Sequence, residues 1–519
     1  MRTAYTSDQI RAAEAALMAT LPEGTLMERA ATGLAVTCAG MLGTVYGSRV
    51  VLLVGGGDNG GDALYAGARL ADRGARVDAI LAGPRVHAGG LDALRRAGGR
   101  VTDLGRAAGS PEGGGQAASG TAPGGSAVPE AAGRLIRAAG LVVDGLVGIG
   151  GAGALREPYA TLAALAGDAP GRVVAVDVPS GVDASSGRVE GPAVRADVTV
   201  TFGAWKIGLL VDPGAGYAGR ARLVDIGLGP HLPEPGAVAP ADADVAALLP
   251  VPDASADKYR RGVVGIAAGS ERYTGAAVLA VGGALRGGVG MVRYAGTAAP
   301  AARVRARWPE AVITTLTPGQ GVEEVGRVQA WVLGPGLGTG QEAHAVARSV
   351  LDGDVPVLVD ADGLTLLAED RTLLRRTAPV LITPHAGELS RLLGVPRERI
   401  EARRLEHARR AAAELGVTVL LKGSTTLVAE EGRPVVINLT GAPWLATGGT
   451  GDVLAGLAGA LLAGGLSGYD AASCAAHLHG IAGQEGPLAA GDVVEALPGA
   501  VRAVMNRLRR DGRAARLEK

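Results

Sequence analysis

Aromatic side chains are scarce. Trp, Tyr and Phe make up 3% of the 519 residues, too few for the stacking platforms that hold single-stranded nucleic acid. Cysteine is almost missing: Cys38 and Cys474 stand far apart in sequence, so no disulfide framework is expected and each reads as a small buried apolar residue. A net charge is lacking too, with 51 basic and 51 acidic side chains, which removes any global pull toward nucleic acid or an acidic membrane. No uncharged apolar run reaches the ~18 residues of a membrane span. Met1 to Asp8 has no apolar core of signal-peptide length, so a soluble, cytoplasmic chain is expected. What is plentiful is apolar residues, at 47%, over a length that calls for two or three domains.

In the first half, Ser7 and Asp8 are expected to cap a helix with an Ile10/Ala13/Leu17 stripe. The run Arg49 to Val54 is short, apolar and β-branched, the pattern of a buried parallel strand. It ends in Gly55-Gly56-Gly57-Asp58-Asn59-Gly60-Gly61-Asp62, then a helix and a second strand, Arg76 to Leu81. Gly55, Gly57 and Gly60 satisfy a dinucleotide fingerprint, but a plain NAD site needs an acid closing the second strand, and Asp78 lies near its start. Two further strands end in an acid and a flexible loop. One is Leu141 to Gly145, carrying Asp144 and followed by Gly148-Ile149-Gly150-Gly151-Ala152-Gly153-Ala154; the other is Val173 to Val178, carrying Asp177 before Ser180. A lone strand-end Asp is most often a helix cap. Strand C-termini of an open α/β sheet converge on one crevice, however, so Asn59, Asp144 and Ser180 would offer hard oxygens to one cation while Asp62 and Asp177 face substrate. Strands Val198 to Phe202 and Arg222 to Ile226 close the domain. Residues 107–133, rich in Gly, Ala, Ser and Pro, read as a disordered insertion.

The motifs N-G-G-D (59–62), D-G-L-x-G-I-G (144–150) and D-x-P-S-G-x-D (177–183) resemble the NAD(P)HX epimerase domain, also called the YjeF N-terminal domain, across nearly all of residues 1–230. The resemblance implies a Rossmann-like fold that interconverts two epimers of hydrated NAD(P)H. It also implies potassium at Asn59, Asp144 and Ser180, substrate along Asp58 to Asp62 and Gly148 to Ala154, and Asp177 as catalytic and substrate-binding. The family uses a lysine after the second strand. Arg85 stands nearest here, and arginine is too basic to exchange protons readily, which makes Lys206 the candidate for that role.

Residues 231–252, rich in Pro, Ala and Asp, read as a linker. Beyond it, strands and helices alternate again, with strands expected at Val263 to Ala267, Gly290 to Tyr294, Ala330 to Leu333, Pro356 to Asp360, Val380 to Thr383 and Val417 to Leu421. The stretch Ala446-Thr447-Gly448-Gly449-Thr450-Gly451-Asp452 reads as a glycine-rich turn into a helix starting near Asp452. Its bare N–H groups and the helix dipole would hold a phosphate, with Asp452 either a helix cap or a general base. His385 and Glu388 invite a metal reading, but two residues do not make a zinc site. Lys422 precedes Gly423-Ser424-Thr425-Thr426; opposite the glycine turn it would neutralise a nucleotide phosphate, and on an exposed hairpin it would be solvated.

Y-T-G-A-A (273–277), G-P-G-L-G (334–338), D-A-D-G-L (360–364), T-P-H-x-G-E (383–388), K-G-x-x-T (422–426) and A-T-G-G-T-G-D-V-L-A-G (446–456) resemble, in order, the NAD(P)HX dehydratase branch of the ribokinase-like family. The implied fold is a ribokinase-like α/β layer domain over residues 253–512. Asp452 would be its base, with substrate also at Ala277, Gly336, Gly338 and His385. ADP would lie along Lys422 to Thr426 and Gly449, Thr450 and Gly451, accompanied by Mg²⁺. Epimerase and ADP-dependent dehydratase on one chain imply nicotinamide-nucleotide repair. The expected partners are small molecules (hydrated NADH or NADPH, and ADP), with self-association as a homo-oligomer and no nucleic acid or membrane. The rival reading is a kinase of a hydroxymethyl vitamin precursor fused to a non-catalytic nucleotide-binding domain.

Overall fold

The computed structural model describes residues 1–83, 85–104 and 130–517, with side chains to residue 507. The chain forms two compact units, one of residues 3–236 and one running from Ala237 onward together with Met1–Arg2. The expected insertion at 107–133 falls largely outside the described residues, and Glu130 to Gly133 belong to the helix Glu130–Ala138.

The first unit is built on a seven-stranded parallel sheet in the order Arg100–Asp103, Arg76–Leu81, Arg49–Val54, Leu141–Gly145, Arg172–Val176, Val198–Phe202, Arg220–Val224. Val50, Leu52 and Val54 face one core while Val51 and Leu53 face the other. A strand buried on both faces has no solvent side to mark, so its sequence is continuously apolar. The first strand in sequence lies mid-sheet, with the chain winding away on either side. Ligands bind beyond the strand C-termini at such a reversal. The last strand starts two residues before the expected Arg222 and ends at Val224. Thr6, rather than Ser7 or Asp8, caps the first helix, sharing a reciprocal cap with Gln9.

The second unit carries strands in the order Val312–Thr315, Met291–Gly296, Val263–Ala267, Ala330–Leu333, Val357–Val359, Val380–Ile382, Thr418–Leu421, Thr426–Ala429, Val435–Asn438, Ala237–Ala239. All pairings are parallel except those of Thr426–Ala429 with its two neighbours. Helices Thr274–Arg286, Thr450–Ala463 and Gly468–Ala482 share one large apolar core with the sheet. The expected linker is not a linker. Within 231–252 lie the strand Ala237–Ala239, paired with Val435–Asn438, and the helix Asp242–Leu248. No described helix is long and apolar enough to cross a membrane.

Candidate functional site

The first unit holds a cleft of about 1450 Å³ at the reversal of its sheet, lined by Glu14, Asp58, Asn59, Asp62, Asp177 and the Leu146–Gly151 loop among others. Asp177 sits at φ 65, a left-handed conformation that costs a non-glycine residue strain and concentrates at functional sites. Its Oδ1 accepts hydrogen bonds from the Lys206 ammonium, from Thr201 Oγ1 at 3.2 Å and from Phe202 N at 3.1 Å. Lys206 is fully buried and also donates to the Phe202 carbonyl at 2.7 Å. Arg85 is exposed and does not line the cleft. Asp62 is 6% exposed, and its Oδ1 has no partner among the described residues. Burial, then the charges of Asp177, Asp58 and Glu14, push its carboxyl well above the usual range. Burial likewise raises Glu14. The cleft therefore sets acids whose carboxyls burial raises beside a carboxylate ion-paired with Lys206.

Asp144 is fully buried and accepts from Ser180 Oγ at 2.6 Å and Ser180 N at 2.8 Å; burial pushes its carboxyl up to about 6. Asn59 donates through Nδ2 to the Val176 carbonyl at 2.6 Å. A Cβ at Gly148 would lie 2.3 Å from Asn59 Oδ1, so a bare backbone is required there. Of the loop expected at substrate, Gly148 to Gly151 line the cleft, whereas Ala152, Gly153 and Ala154 line an adjoining hollow of about 470 Å³. Gly60 and Gly61 lie buried in the helix Asp58–Asp72, away from the cleft wall. A Cβ on Gly60 would meet the Gly55 carbonyl at 2.4 Å, so that glycine serves close packing.

In the second unit the helix opens two residues earlier than expected, at Thr450 behind Gly449, whose φ of 93 only glycine adopts freely. Asp452 sits in the first turn. Burial and the negative charge of Asp360 raise its carboxyl, Lys422 opposes them, and the balance is about 7. Lys422 Nζ donates to Asp360 Oδ1 at 2.6 Å and lies 3.7 Å from Glu388 Oε2. Burial alone would lower the ammonium, but Asp360 and Glu388 outweigh it and hold it above its ordinary value. A Cβ at Gly451 would stand 3.6 Å from Lys422 Nζ and 3.9 Å from Asp360 Oδ2. The glycine turn, the lysine and the buried acids thus meet, and the solvated-hairpin alternative for Lys422 fails.

Other expected residues take different places. Thr450 is buried, and its hydroxyl donates to the Leu445 and Thr447 carbonyls at 2.8 and 2.9 Å, folding the turn onto itself. His479, held near 4 by burial and hence neutral, contacts the Thr450 carbonyl at 2.9 Å. His385 uses Nδ1 to accept from Gly387 N at 2.9 Å, capping its helix. Gly338 N donates to Asp362 Oδ2 at 2.8 Å, tying the G-P-G-L-G loop expected at substrate to the D-A-D-G-L loop. A Cβ on Gly336 would lie 2.7 Å from that of Ala276, and Ala277 is fully buried, so its side chain faces core. Asp360 and Glu14 carry no site signal of their own in the sequence, and Glu388 enters there only through a zinc reading that two residues cannot support. Strand-end acids and a capping glutamate look structural in sequence, and Glu388 does cap, accepting from His385 N at 2.7 Å.

Two family models match the chain: one described as YjeF-related protein N-terminus over residues 23–208, and one as NAD(P)H-hydrate dehydratase over residues 264–497. The chain is 47% identical over 482 residues to a bifunctional NAD(P)H-hydrate repair enzyme of Mycobacterium tuberculosis, covering 91% of this chain and 92% of that one. A Mycobacterium leprae protein of the same description is 46% identical, at 92% and 93% coverage. Among solved structures, an ADP/ATP-dependent NAD(P)H-hydrate dehydratase from Bacillus subtilis, co-crystallised with ATP and Mg²⁺, aligns at 31% identity with a TM-score of 0.47. It covers 51% of this chain and 97% of its own.

Proposed function

The chain belongs to the family of bifunctional NAD(P)H-hydrate repair enzymes, and we propose from that premise which residues of each unit carry which step. The epimerase half interconverts the R and S forms of hydrated NAD(P)H, and the dehydratase half returns the S form to NAD(P)H at the expense of ADP, giving AMP and phosphate.

In the epimerase cleft, Asp62, whose carboxyl burial and neighbouring acids push well above the usual range, protonates the departing ring hydroxyl and the C–O bond breaks with loss of water. Asp177, ion-paired with Lys206, takes a proton from the water that adds to the opposite face. Lys206 fills the place of the family's lysine because it, and not Arg85, is bonded to the catalytic carboxylate. Potassium fits the donor set of Asn59, Asp144 and Ser180, which is all oxygen, with Gly148 leaving room at Asn59 Oδ1. When bound it would supply positive charge at the strand ends, offsetting the acidic wall.

In the dehydratase half, Asp452 takes the ring hydroxyl's proton. The oxygen accepts the terminal phosphoryl of ADP, with AMP leaving. Phosphate then departs with the C–O bonding pair, and a neighbouring ring proton is lost as the double bond returns. Gly449 and Gly451 amides cradle the moving phosphoryl, and Lys422 leaves Asp360 for the phosphates. Asp360 and Glu388, which already converge on one cation, would hold a nucleotide-borne Mg²⁺, whose charge neutralises the phosphates. The observation that carries this reading is a carboxyl raised to about 7 beside a glycine turn and a half-buried lysine paired with Asp360.

Because Asp452 must be ionised to act, kcat/KM for dehydration is expected to fall as pH drops through about 7 and to level off above it. A rate series across the neutral range at saturating ADP checks this; a flat profile contradicts it. The full reading is tested with a mixture of both hydrated NADH epimers. With ADP, reduced-nicotinamide absorbance is expected to recover completely; recovery that stops once one epimer is consumed would remove the epimerase assignment.

A further inference from the structure

The helix Arg404–Leu415 opens with a buried arginine, 6% exposed, whose guanidinium reaches into the loop that follows Leu421. Its Nη2 donates to the carbonyls of Leu421 at 3.3 Å, Lys422 at 3.0 Å and Thr425 at 3.3 Å. A Cβ on Gly423 would lie 2.3 Å from that nitrogen, so any side chain there would have to displace the guanidinium from its carbonyls. The loop is wrapped around the cation with its carbonyl oxygens turned inward.

A planar trans peptide points its N–H opposite its C=O. With the Lys422 carbonyl turned in to Arg404, the Gly423 N–H must face outward, on the side away from the guanidinium. Lys422 N is bonded elsewhere, to the Pro384 carbonyl at 2.8 Å, which fixes the lysine's own backbone. We propose that Arg404 is a positioning residue for the dehydratase: a buried cation that never meets the nucleotide but sets the Lys422 ammonium and the Gly423 amide toward its phosphates. This rests on the assignment of the 422–426 loop to the nucleotide. Arginine suits the task because its planar fork serves several carbonyls at once and never loses its charge, whereas lysine offers a single point.

The test compares Arg404→Met, Arg404→Lys and Lys422→Met in the full chain, measuring KM for ADP, KM for hydrated NADH, kcat, epimerase rate and melting temperature. Arg404→Met is expected to raise KM for ADP by about tenfold, the scale of losing hydrogen bonds to a charged group. KM for hydrated NADH and the epimerase rate should stay at wild-type values. Arg404→Lys should fall between the two, and it carries the test alone if the methionine variant does not fold. A folded Arg404 variant with unchanged KM for ADP, while Lys422→Met raises it, overturns the proposal and leaves the loop assignment standing. If Lys422→Met also leaves KM for ADP unchanged, the loop assignment fails and the proposal with it.

Discussion

Asp452→Asn is expected to lower dehydration by about 10²–10⁴-fold, the range a positioned general base supplies, and to leave epimerisation at the wild-type rate. Asparagine preserves the shape at the head of the helix Thr450–Ala463 and still tolerates a place in its first turn, so the fold should survive. What is lost is a proton acceptor whose carboxyl stands at about 7, where an acid and its base are both populated near neutrality. Removing the carboxylate also relieves repulsion with Asp360, so nucleotide affinity should hold or improve while turnover collapses. A rise in KM for ADP with kcat unchanged would show instead that Asp452 only binds. Loss of epimerisation in a folded variant would refute the division of labour between the two units.

The second large effect is structural as well as catalytic. Lys206→Met should destabilise the epimerase unit by about 3–5 kcal/mol, because cutting a buried ion pair leaves its partner charge uncompensated. Lys206 is fully buried and the Asp177 side chain 7% exposed, so solvent cannot replace the lost ammonium. Among the described residues Asp177 Oδ1 retains Thr201 and the Phe202 amide as donors, and it loses the ammonium that holds it in place. Epimerisation should therefore fall with stability. The double variant Lys206→Met/Asp177→Asn removes both charges and is expected to recover much of the stability in a urea titration, without recovering epimerisation. Equal stability of wild type and Lys206→Met would show that the pair contributes nothing to the fold.

Much of this was legible in the chain because the chemistry sits where short apolar runs stop. Buried parallel strands announce themselves by continuous Val, Leu and Ile, and the acids and glycines just past them are pinned to the ligand side of a sheet. Asn59, Asp144, Asp177 and Ser180 could thus be placed together, and Asp144 and Ser180 are hydrogen-bonded. Short elements were harder. The strand Ala237–Ala239 and helix Asp242–Leu248 are too brief to show a period, and so passed for a linker. Hydroxyl-rich motifs misled in another way: the Thr450 side chain resembles a phosphate ligand, yet its hydroxyl is taken up by two carbonyls. Arg404 carried no signal at all. One arginine among many gains its meaning only when folding brings the 421–425 carbonyls around it.

The fate of the terminal phosphoryl of ADP tests the central claim most directly. With ADP labelled at that phosphorus and hydrated NADH in excess, quenched time points should show free labelled phosphate, AMP and NADH rising together in equal amounts. Label accumulating in a stable phosphoester, with no NADH formed, would contradict the account and identify the second unit as a kinase.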